Sequence, residues 1–253
     1  MSNAASETRA FKWLRKRLSA RRLISRLSIL VYGDVDAFLG KSKGIIHIGA
    51  NEGQERAQYA KHNLAVVWIE PIPESFARLK ANIEPFPNQR AFRYLLAADS
   101  GTYRLNISSN NGESSSILDL ARHREVWPSV DYVSQIEMVA VTLPQLLATE
   151  NIDVSAYDAL VLDTQGSELM ILRGAAAVLK NFQYIRSEAA DFESYAGGAT
   201  VQQICGYLGG QGFRLRTSKQ TMHKRGVGSY YELLFQRVER VSEAPRKGMK
   251  PTA

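Results

Sequence analysis

From residue 44 onward, short apolar runs alternate with segments of helical spacing. The runs "GIIHIG" (44–49), "AVVWIE" (65–70), "AFRYLLAA" (91–98), "YDALVLD" (157–163) and "YIRSE" (184–188) are short, β-branched or aromatic, and apolar on both faces. Such runs read as strands buried on both sides. Between them, residues 52–62, 73–83, 143–149, 167–179 and 201–209 carry helical spacing, with Pro73 placed for a first helical turn. A shorter strand is expected over 103–108, and residues 137–141 lead into the helix at 143. Residues 109–135 show little periodicity and read as a long loop or irregular insert. "FRLRTS" (213–218) and "YYELLFQR" (230–237) close the domain as an antiparallel pair. Strands alternating with helices predict an α/β fold with a doubly wound sheet. In such sheets ligands bind outside the carboxyl ends of the strands, so the residues just after each strand carry the functional question.

Charge divides the chain. Residues 1–33 hold eight Arg and Lys (Arg9, Lys12, Arg15, Lys16, Arg17, Arg21, Arg22 and Arg26) and one acid, Glu7. Removing these from the totals of 32 basic and 25 acidic residues leaves 24 of each over 34–253. The body is neutral, which argues against nucleic acid as a partner, since a nucleic-acid enzyme carries its basic charge in the domain itself. Within the basic stretch, Phe11, Leu14 and Leu18 form one apolar stripe, and Leu23, Leu27 and Leu30 form another on a different side. This predicts one or two basic helices, which either make a peripheral contact with an anionic membrane surface or pack on the domain. The expected organisation is a basic helical extension over 1–40, one domain over 41–238 and a polar, flexible tail over 239–253. A single cysteine, Cys205, excludes an internal disulfide. With no apolar run near the ~18 residues that span a bilayer, a cytoplasmic protein is expected, at most peripheral to the inner face of the membrane.

The strand ends supply the candidate chemistry. After the first strand comes Gly49-Ala50-Asn51-Glu52-Gly53. A dinucleotide fingerprint needs a glycine where Asn51 stands, and the Gly-Lys-Ser/Thr of a phosphate loop is missing. Glu70 ends the second strand, before Pro71, at roughly the 20-residue spacing from the glycine loop that lets both touch one nucleoside. There a carboxylate accepts hydrogen bonds from ribose hydroxyls, or it is simply a solvated strand-end acid. Together the two features suit a nucleoside cofactor without a pyrophosphate, such as S-adenosyl-L-methionine. Asp163 ends the next central strand, Gly166 opens the turn, and Glu168 either serves the site or favours the helix N-terminus. Glu188 ends the strand after that, on the same edge as Asp163.

Five stretches resemble the FkbM-type methyltransferase family in its own order: "IIHIGANEGQE", "WIEPIPESFARLKANI", "LLAADSGTYRL", "VTLPQLL" and "LVLDTQGSELMILRGA". The resemblance covers roughly residues 44–215. It implies a Rossmann-like class I methyltransferase fold: a doubly wound, mostly parallel seven-stranded sheet with an antiparallel last strand. It also implies S-adenosyl-L-methionine as cofactor and a hydroxyl of a sugar, glycolipid or secondary metabolite as acceptor. The cofactor-binding positions it suggests are His47, Gly49, Ala50, Asn51, Gly53, Glu70, Pro71, Ala98, Asp163 and Gln165. Two of these depart from the family's habit. His47 stands where the first strand commonly carries an acid, and Gln165 replaces a frequent Glu. His47 either contacts the cofactor or is a hydrogen-bonded structural histidine.

An acceptor hydroxyl is a poor nucleophile near neutral pH, so a base or a metal must draw off its proton. Asp163 and Glu188, with Glu168, are the candidate catalytic residues. Hard carboxylate ligands also suit Mg2+, a cofactor this sequence permits without naming its ligands. Ser114, Ser115 and Ser116 mark a lid or acceptor-side loop. His123 reads as a base on that loop or a surface histidine, and Trp127 and Tyr132 as sugar-stacking rings or as packing for the insert. The alternative function is a catalytically degenerate Rossmann-like domain that binds a glycan or lipid-linked partner.

Overall fold

The computed structural model describes residues 33–238; the expectations for residues 1–32 and for the tail lie outside the described residues. The elements run β1 (Gly44–Ile48), α1 (Arg56–Lys61), β2 (Ala65–Ile69), α2 (Pro73–Ile83), β3 (Gln89–Phe92), β4 (Leu95–Leu96), β5 (Thr102–Ser108) and α3 (His123–Val126). They continue with β6 (Tyr132–Val141), α4 (Leu143–Thr149), β7 (Ala159–Leu162), α5 (Glu168–Gly174), β8 (Tyr184–Ala190), α6 (Val201–Gly210), β9 (Phe213–Lys224) and β10 (Gly228–Arg237).

Seven strands form the main sheet in the order β3-β2-β1-β7-β8-β10-β9. The five strands from β3 to β8 are parallel. The last strand of the chain, β10, runs antiparallel between β8 and β9. This is the Rossmann-like architecture of a class I methyltransferase, with its switch point between β1 and β7.

Alternation along β1 shows how one apolar run serves two cores. Ile46 and Ile48 face a cluster that includes Leu146 of α4, Leu172 of α5 and Ile204 of α6. Ile45 faces the opposite cluster, with Tyr59 of α1, Trp68 of β2 and Leu79 of α2. Each such side chain, fully buried, contributes roughly 1.5–3 kcal/mol. Within the expected extension over 1–40, Val35, Phe38 and Leu39 are buried, and Phe38 and Leu39 join the second cluster.

Two expectations need correction. The single strand expected over 91–98 is two strands in two sheets. After Phe92 the chain leaves the main sheet, and Leu95 and Leu96 pair with Ala140 and Val141 of β6. That pairing buries both leucines while Arg93 stays exposed. The expected insert over 109–135 contains α3 and the start of β6, which pairs antiparallel with β5 in a smaller three-stranded sheet. This sheet lies against the switch point and walls one side of the site.

Candidate active site

A cavity of about 370 Å³ opens at the carboxyl ends of β1, β2 and β7. Its floor is the turn after β1. The Gly49 and Ala50 amides both donate to the Ile69 carbonyl of β2, at 3.0 and 3.1 Å. Gly49 has φ +80°, and a Cβ there would drive into the Asp163 backbone, so no other residue fits. Asn51 follows in the left-handed region at φ 45°, a conformation asparagine tolerates better than most residues.

That turn fixes Glu70. The Asn51 amide donates to Glu70 Oε2 at 2.8 Å, and the Ile72 amide donates to Oε1 at 2.9 Å. Burial pushes the carboxyl up to about 7, and the two backbone donors oppose the shift without cancelling it. Glu70 and Pro71 line the cavity.

Opposite stand Asp163 and Glu188, bridged by Gln165. One amide nitrogen, Gln165 Nε2, donates to Asp163 Oδ1 at 2.8 Å and to Glu188 Oε2 at 3.2 Å. Tyr195 Oη donates to Gln165 Oε1 at 2.8 Å, which sets the amide's orientation. Ser116 Oγ, from the insert, donates to the Gln165 carbonyl at 2.7 Å. Gln165 itself is held at φ 56°. Asp163 lies deep in the domain yet is open to the cavity. Burial raises the Asp163 and Glu188 carboxyls, and the Asp163 charge raises Glu188 further; the Gln165 amide is the main counterweight.

Glu168 does not join them on the cavity wall. Its carboxylate folds back over the turn ahead of α5, accepting from the Thr164 amide at 2.9 Å and from the Gly166 amide at 3.0 Å. Burial pushes it up to about 7. Its visible work is to close the turn that presents Gln165.

His47, Gly49, Ala50, Asn51, Glu70, Pro71, Asp163, Gln165 and Glu188 all border the cavity. Gly53 and Ala98 do not. A Cβ on Gly53 (φ +71°) would meet Leu79 of α2, and the Ala98 backbone packs against Gly174 at the end of α5. His47 sits in an aromatic stack, 4.9 Å from the Trp68 ring, with Nδ1 3.2 Å from Tyr59 Oη. Burial and the Arg186 charge push it down to about 3, so it is a neutral packing group that also edges the cavity.

On the insert, Ser115 and Ser116 reach the cavity. Ser114 instead ties the loop together through Ser108 and Asn110. His123 is neither at the cavity nor on the surface. It is buried between Trp127 and Tyr195, with Nδ1 3.0 Å from Tyr230 Oη. Trp127 packs the insert onto Tyr230, and Tyr132 donates to the Leu118 carbonyl at 2.7 Å. Sequence reasoning passed over the apolar wall from Leu95, Leu96 and Leu105, and two further acids on the lining, Glu55 and Glu113.

Residues 47–215 match the methyltransferase FkbM domain. The chain belongs to the FkbM methyltransferase family. The 2-O-methyltransferase NoeI of Sinorhizobium fredii is 22% identical over 191 residues, 72% of this chain and 77% of that protein. Among solved structures, magnesium protoporphyrin IX methyltransferase from Synechocystis PCC 6803 with bound SAM is similar at 11% identity and a TM-score of 0.42, covering 81% of this chain and 78% of that one. The 1,6-didemethyltoxoflavin-N1-methyltransferase of Burkholderia thailandensis is similar at 10% identity and a TM-score of 0.45, covering 93% and 87%.

The FkbM domain's own donors do not suit a resident Mg2+. An amide N–H, itself a donor, sits between Asp163 and Glu188, and among the described residues no three His, Cys, Asp or Glu gather in a metal-holding group. No helix among the described residues is long and apolar enough to cross a membrane.

Proposed function

We propose that this FkbM-family protein is an S-adenosyl-L-methionine-dependent O-methyltransferase acting on a hydroxyl of a sugar, glycolipid or secondary metabolite. The observation that carries the reading is the charge of the cavity. Glu55, Glu70, Glu113, Asp163 and Glu188 line it, and among the described residues no Lys or Arg does. Such a wall repels a pyrophosphate and attracts a cation. S-adenosyl-L-methionine carries a sulfonium and an ammonium, both cations. Glu70 would hold its ribose and the turn 49–53 its methionine end, with Asp163 and Glu188 beside the sulfonium.

Bound there, the cofactor would supply an activated methyl group that leaves a neutral thioether behind. The chain's own contribution is positional and electrostatic. Gln165 holds two carboxylates side by side, and the acceptor hydroxyl must give up one proton as its oxygen is methylated. Asp163 or Glu188, whose carboxyls burial raises above their ordinary range, would receive it. The apolar wall of Leu95, Leu96 and Leu105 excludes water from that exchange. The basic residues 1–33 add a second element to the reading, a peripheral contact with anionic membrane lipids.

Calorimetric titration with S-adenosyl-L-methionine, S-adenosylhomocysteine and NAD tests the cofactor. Micromolar binding of the first two and none of NAD is expected. Failure of both adenosyl ligands to bind removes the enzyme reading and leaves the degenerate binding domain. Acceptor screening then follows with sugars bearing free hydroxyls.

A further inference from the structure

The charge of the domain is unevenly placed. Residues 213–237, which form β9, its turn and β10, hold six Arg or Lys and one acid, Glu232. Taking these from the 24 of each over 34–253 leaves 18 basic and 23 acidic residues, and the acids include the five on the cavity wall. Strand β9 is the end strand of the seven-stranded sheet, and among the described residues its 12 residues pair only with β10. The register sets Arg214, Thr217, Lys219 and Lys224 opposite Gln236, Leu234, Glu232 and Gly228. Those partners are alternate positions of β10, so all four residues share one face of the sheet. Arg214, Lys219 and Lys224 are exposed there. Lys219 reaches Glu232 at 3.6 Å, whereas Arg214 and Lys224 make no ion pair among the described residues.

The basic stretch of the sequence joins the domain at that face. Gly33 lies against the buried Thr217: a Cβ on Gly33 would sit 2.6 Å from Thr217 Oγ1. The chain therefore enters beside β9, directly after 32 residues that carry eight Arg or Lys and one acid. Two like-charged elements side by side repel each other, and one anionic surface serving both relieves the repulsion. Charge on an end strand also guards against edge-to-edge pairing, but that duty needs no second basic element beside it. The turn after Lys224 lies at the carboxyl edge of the parallel strands, since Tyr230 pairs with Ala190 at the end of β8. Arg122 of the insert donates there to the Gly226 carbonyl at 3.2 Å. The cavity opens on the same edge. A nucleic acid bound as substrate would meet five acids in that cavity, whereas a bilayer docks the domain without entering it.

We propose that the face of β9 bearing Arg214, Lys219 and Lys224, together with the basic segment that precedes Gly33, docks this protein on an anionic lipid bilayer. The inference rests on the membrane contact read from residues 1–33 and extends it to the folded domain. Each Arg or Lys brought to such a surface adds attraction, which salt screens beyond a Debye length. A bilayer held along β9 lies beside the edge where the cavity opens. That selects the glycolipid among the acceptor classes named above.

The test is co-sedimentation of the full chain with vesicles of phosphatidylcholine alone and of phosphatidylcholine mixed equally with phosphatidylglycerol, at about 0.1 M salt. Wild type is compared with the neutralised pair Arg214→Gln/Lys224→Gln and the charge-conserving pair Arg214→Lys/Lys224→Arg, with thermal melts to show that each is folded. The expected result is wild-type binding to the anionic vesicles only. The neutralised pair should bind them about twenty-five-fold more weakly, at about five-fold per cation, and the charge-conserving pair as wild type does. Binding by the neutralised pair equal to wild type overturns the docking face while leaving the contact of residues 1–33 in place. Equal weakening in the charge-conserving pair also overturns it, since charge would not be what the surface reads. Absence of vesicle binding by the wild type overturns both readings together. Fluorescence anisotropy with a labelled RNA hairpin and a DNA duplex runs alongside, and tighter binding of either than of the vesicles, lost in the neutralised pair, overturns the lipid partner in favour of nucleic acid.

Discussion

Glu168 and Asp163 are five residues apart at the head of α5, one buried and one open to the cavity, and they are built differently. Glu168 is saturated by the backbone amides of Thr164 and Gly166. Asp163 is held by a single side-chain amide and opens onto the cavity. A carboxylate wrapped in backbone donors cannot let go of them without unmaking the turn, so it serves architecture. A carboxylate held by one side-chain amide can exchange that partner for a ligand or take up a proton. Glu188 belongs with Asp163, and Glu70, with two backbone donors but a place on the cavity wall, lies between the two kinds.

The comparison can be broken most directly by stability. Glu168→Ala leaves two buried amides without an acceptor and should cost about 2–4 kcal/mol in urea unfolding. Asp163→Asn should stay within about 1 kcal/mol of wild type in the same measurement. Equal losses in the two variants would end the distinction. Binding should reverse the ranking. Asp163→Asn should weaken S-adenosyl-L-methionine about ten-fold and S-adenosylhomocysteine far less, because only the former carries the sulfonium. Equal weakening of both ligands would place Asp163 in the architectural class.

Gln165 sharpens the comparison from the other side. Gln165→Met keeps the length of the side chain and removes the bridging N–H2, so Asp163 and Glu188 repel each other without a mediator. Affinity for S-adenosyl-L-methionine should change only a few-fold near pH 7, and its pH dependence between about pH 5 and 8 should steepen as the unbridged pair picks up a proton more readily. A pH profile superimposable on wild type would show that the amide does not govern the pair.

How far these distinctions could be read from the chain depends on where each was encoded. The parallel strands and α2 are written in local apolar runs, and α2 spans the expected residues 73–83. The positions of Glu70, Asp163 and Glu188 follow from the rule that strand ends face the ligand. The split of 91–98 into β3 and β4 depends on Leu95 meeting Ala140, 45 positions away, which no local pattern announces. Strand β6 hid because its outer face carries Val133, Gln135, Glu137 and Val139, open to solvent and without alternation. His123 looked like a surface residue because its partners, Ser194 and Tyr230, are 71 and 107 positions away.

The comparison also bears on the pH dependence of stability itself. Glu168 has a folded value raised from 4.5 to about 7, so the folded state holds its proton more tightly than the unfolded chain. Its contribution is fully present below about pH 4.5 and is lost as pH rises through about 7, a loss of up to about 3 kcal/mol. Glu70 acts in the same direction over the same window. His47 acts in the opposite one: its folded value is lowered to about 3, so stability gained from keeping it neutral grows as pH rises from about 3 to 6.5. The wild-type profile therefore sums opposing contributions, and the informative quantity is the difference between proteins. Glu168→Gln should lose less stability than wild type between pH 5 and 8 in parallel urea titrations, whatever its stability at pH 5. A difference that stays constant across that range would mean that Glu168 ionises at its ordinary value, and that the amides of Thr164 and Gly166 outweigh its burial.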